Sequence, residues 1–457
     1  MKEKWIAQVD ELIEGARHEL AADTIKLVNI KSVQGEPLPG APFGEGPRKV
    51  LDTVLEMGEK DGFFTTDYNV GVVSVAMKEG QPDLGIWAHG DVVPEGDGWS
   101  FAPYDAVEYQ GCIIGRGATD NKGQLAAIFH LMKIFKKLEI PLKYNVGLYV
   151  GSNEESGMKD MTGIPGNPDA KGFVNVCTPP RMSLVPDSGF PVGYGGKGSL
   201  KMTLKSKMPL HGFTFIAGQD DSPGKAVASF FIKGKNAEFE VVTQSAPRHG
   251  SNPDPDGNMI TKLAGVLLDH DMVAEEDRYI LDFLKRVSLA SDGAMFHIDV
   301  DTKIMKPLTL TTKKVSMAEG YPELLIDIRY PIEITADEVI KRVSEVGEEN
   351  GFLVSHAAPG VDPYLMNAET EMLKRLTEIA NEVTQTDGAP YILGGATYAH
   401  RLPNALVYGM NGCLPPKDFP KGRGGAHGID EAVSLDRLQR AMKIYARALL
   451  ELNEMEW

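Results

Sequence analysis

Five short segments of the sequence place imidazole or carboxylate groups where they could bind metal ions. Each follows a short apolar run or lies in a glycine-rich turn, and together they contain His89, Asp91, Asp120, Glu154, Glu155, Asp187 and His427. Taken singly, each segment could be a surface or structural feature. Taken together, imidazoles and carboxylates form a ligand set suited to zinc, and one carboxylate could bridge two ions about 3.5–4 Å apart. The joint pattern predicts a two-metal centre.

The elements around these segments predict how the side chains are brought together. The apolar run Leu84–His89 is typical of a buried strand, and residues two apart on a strand face the same side, which relates His89 to Asp91. A helix is predicted over Gly123–Lys137, and a strand over residues 144–150 ends just before the two glutamates. This alternation indicates an α/β layer. Ligands bind such sheets at the carboxyl ends of strands.

The two ends of the chain are predicted to be helical. Residues 1–33 carry apolar positions at helical spacing, which indicates an amphipathic helix with a break near Ala22. A last long helix is predicted over residues 430–453, directly after the segment that contains His427.

The pattern of elements changes after Asp187. Residues 197–244 are typical of short strands and turns, and helices are predicted near residues 259–269 and 275–287. Strands grouped with helices in this way indicate an α+β insertion. The sequence therefore predicts a discontinuous catalytic domain, residues 1–190 plus 360–457, and an inserted domain, residues 191–359.

Composition and charge argue against several classes of function. The net charge of −17 would repel the phosphates of nucleic acids. No apolar stretch has the length of a membrane helix, and the N-terminus has no apolar core of signal-peptide length. The three cysteines, Cys112, Cys177 and Cys413, show no paired spacing, as in proteins of reducing compartments. We expect a cytoplasmic protein with neither a nucleic-acid nor a membrane partner.

The motifs, in their order along the chain, resemble those of a known enzyme family. HGDVVP, GRGATDNKG, EESG, PD and AHGIDE follow one another, as in the two-zinc peptidase family that includes aminoacylase, glutamate carboxypeptidase, acetylornithine deacetylase and the bacterial dipeptidases. The resemblance covers nearly the whole chain. APRHGSNPDPDGN in the insert and GGATYAHRLPNA near the C-terminus are most similar to the dipeptidase V (PepV-like) branch. The resemblance implies an α/β, phosphorylase/hydrolase-like zinc-peptidase domain with an inserted α+β lid.

The resemblance also implies a metal ligand set. His89 and Asp187 would hold one zinc ion, and Glu155 and His427 the other. Asp120 would bridge the two ions, with a cis peptide bond to Asn121. Manganese or cobalt are possible substitutes for zinc.

Further roles are implied for residues that do not bind metal. Asp91 would hydrogen-bond His89 and fix its tautomer, and Glu154 would be the general base that takes a proton from a metal-activated bridging water. His249 would stabilise the oxyanion, and Arg329 would grip the substrate carboxylate. Softer substrate contacts are Asn258 and Thr397. Without the resemblance, His249 could be a surface histidine and Arg329 a strand-edge salt-bridge residue.

These roles predict zinc-dependent hydrolysis of small peptides, namely dipeptides with free amino and carboxyl termini. The alternative is a deacylase or carboxypeptidase that acts on N-acyl amino acids with the same two-metal site. A third possibility, an inactive binding module, is disfavoured because the base and every ligand are present. The chain departs from the family in GYGGKG, where the family often has an acidic residue before Lys-Gly, and its insert is short for the dipeptidase V branch. The insert favours a monomer, with a homodimer as the alternative.

Overall fold

The computed structural model describes residues 2–164, 170–218, 224–232, 237–245, 251–410 and 415–457. The chain divides into two compact units. The first comprises Met1–Tyr194, Met366–Tyr391 and Thr397–Trp457, and the second comprises Gly195–Leu365 and Ile392–Ala396. Among the described residues, no helix is both long and apolar enough to cross a membrane.

A large sheet forms the centre of the first unit. Its strands are β1 (Phe64–Asp67), β2 (Val72–Ala76), β3 (Leu84–His89), β6 (Val146–Gly151), β7 (Met182–Val185), β8 (Gly193–Gly196) and β18 (Ala405–Val407). They lie in the order β1-β2-β6-β3-β7-β18-β8. The four central strands, from β6 to β18, are parallel, and β3, β6 and β7 are buried along their whole length. A continuous apolar strand buried on both faces is typical of a parallel sheet in an α/β protein.

Helices pack on this sheet. They are α1 (Lys2–Gly15), α2 (Arg17–Val28), α3 (Glu45–Lys60), α4 (Gly123–Lys137), α5 (Lys159–Thr162), α6 (Phe173–Val176), α10 (Glu371–Thr384) and α11 (Leu435–Leu452). The predicted helix α4 and strand β3 are confirmed with the same bounds. The predicted break near Ala22 is wrong, because the N-terminal helix ends at Gly15, where the residue has no side chain to favour the helix, and restarts at Arg17.

A small antiparallel sheet completes the first unit. It consists of β4 (Val107–Tyr109), β5 (Cys112–Ile114) and β19 (Ala432–Ser434), with Ala432 opposite Ile114. The long last helix was predicted to begin at residue 430, but residues 432–434 form this strand and α11 starts only at Leu435. The pairing of β5 with β19 places the chain after β5 beside the chain before β19, which are the two segments that carry Asp120 and His427.

The second unit is an α+β structure. Its antiparallel sheet has the order β12-β11-β10-β13-β14-β9-β15. The strands are β9 (Gly198–Ser206), β10 (Phe213–Gly218), β11 (Gly224–Ile232), β12 (Ala237–Ser245), β13 (Thr309–Ala318), β14 (Tyr321–Tyr330) and β15 (Phe352–Pro359), and the helices are α7 (Met259–Asp269), α8 (Glu275–Leu289) and α9 (Ala336–Glu349). Two further short strands, β16 (Tyr364–Leu365) and β17 (Tyr391–Leu393), are not part of this sheet and pair with β8. Alternate residues of the sheet pack with the helices in a separate apolar core.

Candidate metal centre

Three neighbouring parallel strands deliver candidate ligands to one edge of the large sheet. His89 is the last residue of β3, Asp187 follows β7, and Glu155 lies on the loop after β6. Because β6, β3 and β7 are adjacent and parallel, their carboxyl ends lie side by side. The first unit therefore positions these side chains through the sheet itself.

Asp120 is shared by two groups of possible ligand atoms. In one group, atoms of His89, Asp120 and Asp187 lie within 4.8 Å of one another, and in the other the same holds for Asp120, Glu155 and His427. Oδ1 of Asp120 lies 3.0 Å from Nε2 of His89, and Oδ2 lies 3.3 Å from Nε2 of His427. Nε2 of His427 is also 3.0 Å from Oε1 of Glu155. The predicted ligands thus converge, and all five belong to the first unit.

The turn that carries Asp120 depends on glycine. Gly117 has a φ of 88°, and a Cβ there would lie 2.6 Å from Cγ1 of Val92. This left-handed conformation and the close approach favour a residue without a side chain. The peptide bond between Asp120 and Asn121 is cis, as predicted.

The electrostatics of this cluster suit divalent cations. Burial, and then the charge of Asp120, raise the pKa of Asp187 well above its usual value; burial and the charge of Asp187 do the same for the pKa of Glu154. Burial lowers the pKa of His427, but hydrogen bonds with Asp120 and Glu155 outweigh it and raise that pKa to about 12. These shifts reflect an excess of buried negative charge, which cations would balance. The donor set of imidazoles and carboxylates also fits.

Asp91 makes different contacts from those predicted. Nδ1 of His89 lies 3.0 Å from the main-chain oxygen of Asp91, whereas the nearer carboxylate oxygen lies 3.6 Å away. The carboxylate instead accepts hydrogen bonds from the main-chain N–H groups of Glu154 at 3.1 Å and Glu155 at 3.0 Å. Leaving a buried main-chain N–H such as that of Glu154 without a partner is costly, which favours these hydrogen bonds to the carboxylate. A proton on Nδ1 of His89 leaves Nε2 free to face Asp120.

The loop after β6 is anchored a second time by a buried carboxylate. Oδ2 of Asp160 accepts hydrogen bonds from the N–H groups of Ser152 at 2.8 Å and Asn153 at 3.1 Å, and from the hydroxyl of Tyr398 at 2.5 Å. Burial raises the pKa of Asp160 to about 6. The main chain just before Glu154 is therefore fixed by Asp160, and the main chain of Glu154 itself by Asp91. Oε1 of Glu154 is buried and has no hydrogen-bond partner among the described residues.

The predicted substrate contacts lie in different parts of the chain, with Arg329 and Asn258 in the second unit and Thr397 in the first. His249 lies outside the described residues. Arg329 is on β14 of the second unit, 9% exposed, with Nε 3.0 Å from Oδ1 of Asp327. Arg329 thus pairs with a residue of its own strand, and β14 lies between β13 and β9 rather than at the edge of the sheet.

Asn258 and Thr397 both serve as helix caps. Oδ1 of Asn258 accepts from the N–H of Ile260 at the start of α7, and Nδ2 donates to the carbonyl of Thr312. Oγ1 of Thr397 accepts from the N–H of Ala399 in a short helical turn, Tyr398–Arg401. The polar atoms of Asn258 are thus already used inside the second unit.

Sequence reasoning missed four residues that hold the site together: Arg116, Asp160, Tyr398 and Glu431. Arg116 and Glu431 lie inside two of the motifs that carry metal ligands, so their position was a usable signal. The contact between Asp160 and Tyr398 joins residues 238 apart in the chain, and no local pattern announces it.

Comparison with known proteins identifies the family to which these motifs belong. Residues 85–451 match the model of peptidase family M20/M25/M40. The chain is 28% identical over 473 residues to "Putative dipeptidase YtjP" of Bacillus subtilis (strain 168), with 95% of this chain and 97% of the relative covered. The predicted resemblance to this peptidase family is confirmed.

Solved structures share the fold across the whole chain. The yeast (Saccharomyces cerevisiae) di-peptidase Dug1p superposes with a TM-score of 0.60 at 14% identity, covering 99% of each chain. Human carnosine dipeptidase 1 superposes with a TM-score of 0.59 at 15% identity, covering 98% of this chain and 100% of the other. The predicted fold class, an α/β peptidase domain with an inserted α+β domain, is confirmed. With an imidazole–carboxylate cluster at the carboxyl edge of its sheet, the chain belongs to peptidase family M20/M25/M40 and is a divalent-metal-dependent peptidase.

Proposed function

We propose that this enzyme hydrolyses the peptide bond of dipeptides whose amino and carboxyl termini are both free, with two zinc ions as its cofactors. The observation that carries the proposal is the sharing of Asp120 between two groups of ligand atoms beside a glutamate that belongs to neither. That glutamate, Glu154, is buried, and its Oε1 has no partner among the described residues.

Five residues would hold the cations. His89 and Asp187 would bind one, Glu155 and His427 the other, and Asp120 both, in keeping with their grouping. When bound, a pair of divalent cations polarises the scissile carbonyl and makes water acidic enough to be deprotonated near neutral pH. Manganese or cobalt ions could be bound by the same imidazole and carboxylate ligands.

Glu154 is the proposed general base. Glu154 is next to Glu155 in the sequence. Metal binding by Glu155 would therefore fix the position of Glu154, whose own carboxylate stays available for proton transfer. Its pKa is raised well above the usual glutamate value, by burial first and then by the charge of Asp187. A carboxylate of raised pKa accepts a proton from the attacking water more readily, and the resulting acid delivers that proton to the departing amine.

The two termini of the substrate supply the length selection. Arg329 would bind the substrate carboxylate through its planar guanidinium group, and a carboxylate of the metal cluster would orient the free ammonium group. His249 would stabilise the oxyanion, and Thr397 would contact the substrate. On this proposal residues 1–190 and 360–457 are the catalytic domain, and residues 191–359 are a lid that contributes the arginine and the histidine.

The names of similar proteins support this substrate class. The Bacillus subtilis relative carries the name of a dipeptidase, and so do the yeast and human structures that share the fold. We further propose a monomeric enzyme of the cytoplasm, within the dipeptidase V (PepV-like) branch.

A panel of substrates tests the proposal. Free dipeptides, the same dipeptides with an acetylated N-terminus, and N-acetyl amino acids are assayed with added zinc or manganese and with a chelator. We expect hydrolysis of free dipeptides alone, abolished by the chelator and restored by metal. Preferred hydrolysis of the acetylated compounds would establish the deacylase or carboxypeptidase alternative, and turnover that survives complete metal removal would contradict both.

A further inference from the structure

The carboxylate of Glu431 is a buried hydrogen-bond hub beneath Asp120. One oxygen accepts hydrogen bonds from the N–H groups of Thr119 at 2.9 Å and Asp120 at 3.0 Å. The other accepts from the N–H of Gly117 at 3.0 Å and from Nη1 of Arg116 at 2.7 Å. Glu431 is 1% exposed, so these contacts rather than water satisfy its charge. A single side chain thereby fixes the main chain of the turn that carries the proposed bridging ligand.

Arg116 connects this hydrogen-bond hub to the segment that carries His427. Its Nη2 lies 3.1 Å from the main-chain oxygen of His427 and 3.3 Å from those of Pro94 and Glu95. Arg116 is 2% exposed, and its guanidinium group lies 5.2 Å from the ring of Trp99. The planar fork of arginine can serve a carboxylate and main-chain oxygens at once, which the single ammonium group of lysine cannot.

The main chain brings these two residues together. The N–H of Gly115 donates to the main-chain oxygen of Glu431 at 2.9 Å, which continues the pairing of β5 with β19 by one step. Beyond this point the two segments diverge, one to Asp120 and the other back to His427. The Arg116–Glu431 pair spans the gap just where regular strand pairing ends.

A buried ion pair of this kind is weak evidence of a role in stability alone. Apolar side chains of similar volume often stabilise a protein as well or better, because burying two charges costs much of what their attraction returns. The contacts of Arg116 and Glu431 are instead concentrated on the main chain of three segments, namely the two that carry Asp120 and His427 and the loop that follows His89. Residues that orient metal ligands from outside the coordination shell commonly govern metal affinity.

We infer that Arg116 and Glu431 are positioning residues that hold Asp120 and His427 at the separation needed to share a cation. The inference rests on the proposed function, since it assigns these two residues to one of the two proposed cations, the one that Asp120, Glu155 and His427 would bind. It predicts that disturbing the pair weakens the binding of that cation before it affects substrate binding.

Two substitutions test the inference, Arg116→Lys and Glu431→Gln. Zinc and manganese affinities of the purified, metal-stripped full chain are measured by competition with a chromophoric chelator. We expect one of the two cation affinities to fall by about 10- to 100-fold in both variants. With limiting metal kcat should fall, excess metal should restore it, and KM should change little. Asp10→Asn is the matched control, because Asp10 pairs with Arg447 at 2.7 Å within the same unit, on helices α1 and α11 that carry none of the proposed ligands.

Arg116→Lys decides between geometry and charge. Glu431→Gln removes a negative charge near Asp120, which by itself would weaken cation binding, whereas Arg116→Lys retains the charge and changes only the fork. Wild-type affinity in Arg116→Lys would overturn the inference even if Glu431→Gln binds weakly. Loss of the fold of the metal-free protein in Arg116→Lys, detected by circular dichroism, would mark the pair as structural and would also overturn it. A wild-type chain that binds no cations or cleaves no dipeptide would instead refute the proposed function.

Discussion

The carboxylate of Asp91 accepts a hydrogen bond from the main-chain N–H of Glu154 at 3.1 Å. This contact joins the turn after β3, the strand that ends at the proposed ligand His89, to the loop after β6, which carries the proposed base. The second oxygen of Asp91 receives the N–H of Glu155 at 3.0 Å, so both glutamates are positioned through one carboxylate. The predicted hydrogen bond from His89 to the Asp91 carboxylate is replaced by one from Nδ1 of His89 to the main-chain oxygen of Asp91.

Replacing Asp91 by Asn should therefore impair catalysis through the glutamate loop. Asparagine offers only one acceptor oxygen, so its NH2 group would face one of the two main-chain N–H groups. We expect kcat for a dipeptide to fall by about 10- to 100-fold, measured by steady-state kinetics at saturating metal. Asp97→Asn, an exposed carboxylate farther along the same segment, is the control. An unchanged kcat in Asp91→Asn would argue against this role.

The adjacent glutamates should separate into a base and a ligand. Glu154→Gln should lower kcat by about 10²- to 10⁴-fold, because the transfer of a proton is lost, while both cations remain bound. Glu155→Gln should instead lower the metal content. Turnover numbers and elemental analysis of the same preparations provide the measurement. Normal turnover by Glu154→Gln would reject its role as base, and loss of metal from that variant alone would exchange the two assignments.

Asn258 should prove to be a structural residue. Its side chain caps α7 and also donates to the carbonyl of Thr312. Asn258→Ala should lower the free energy of unfolding by about 1–2 kcal/mol, as expected for loss of a helix cap, and leave KM unchanged. Thr335→Ala, which removes the cap of α9 in the same unit, is the matched control for stability. A large rise in KM in Asn258→Ala alone would favour the substrate contact predicted from the sequence.

The second unit should show a pH-dependent contribution from His211. Nδ1 of this histidine lies 2.9 Å from Oδ1 of Asp277, a fully buried carboxylate, and this hydrogen bond raises the pKa of His211 above 6.5. Because the folded state favours the protonated imidazole, its stabilising effect is complete below the unfolded pKa of about 6.5 and disappears as the pH rises through the folded value. Thermal denaturation of His211→Gln should therefore differ from wild type most at low pH. An equal difference at acidic and alkaline pH would contradict the ion pair.

Much of the framework around the centre was predictable from local pattern. The apolar run of β3 ends at His89, and the amphipathic run of α4 begins at Gly123, as the structure confirms. Strand β3 was predictable because burial on both faces requires continuous apolar residues, and α4 because its apolar residues recur at helical spacing, although the helix is buried on nearly all sides. The short strand β19 was missed because three residues next to a strong helix carry no independent periodic signal.

The sequence by itself determined which residue types could bind metal, and it placed them after strands and glycine-rich turns. Tertiary structure alone decided that His427 lies beside Glu155, 272 residues earlier in the chain, and that each oxygen of Asp120 faces a different imidazole. It also decided that the Asp91 carboxylate serves main-chain N–H groups rather than an imidazole. The reason is that local patterns follow from burial of individual elements, whereas the partner of a buried polar group depends on which distant donors the fold leaves unsatisfied nearby.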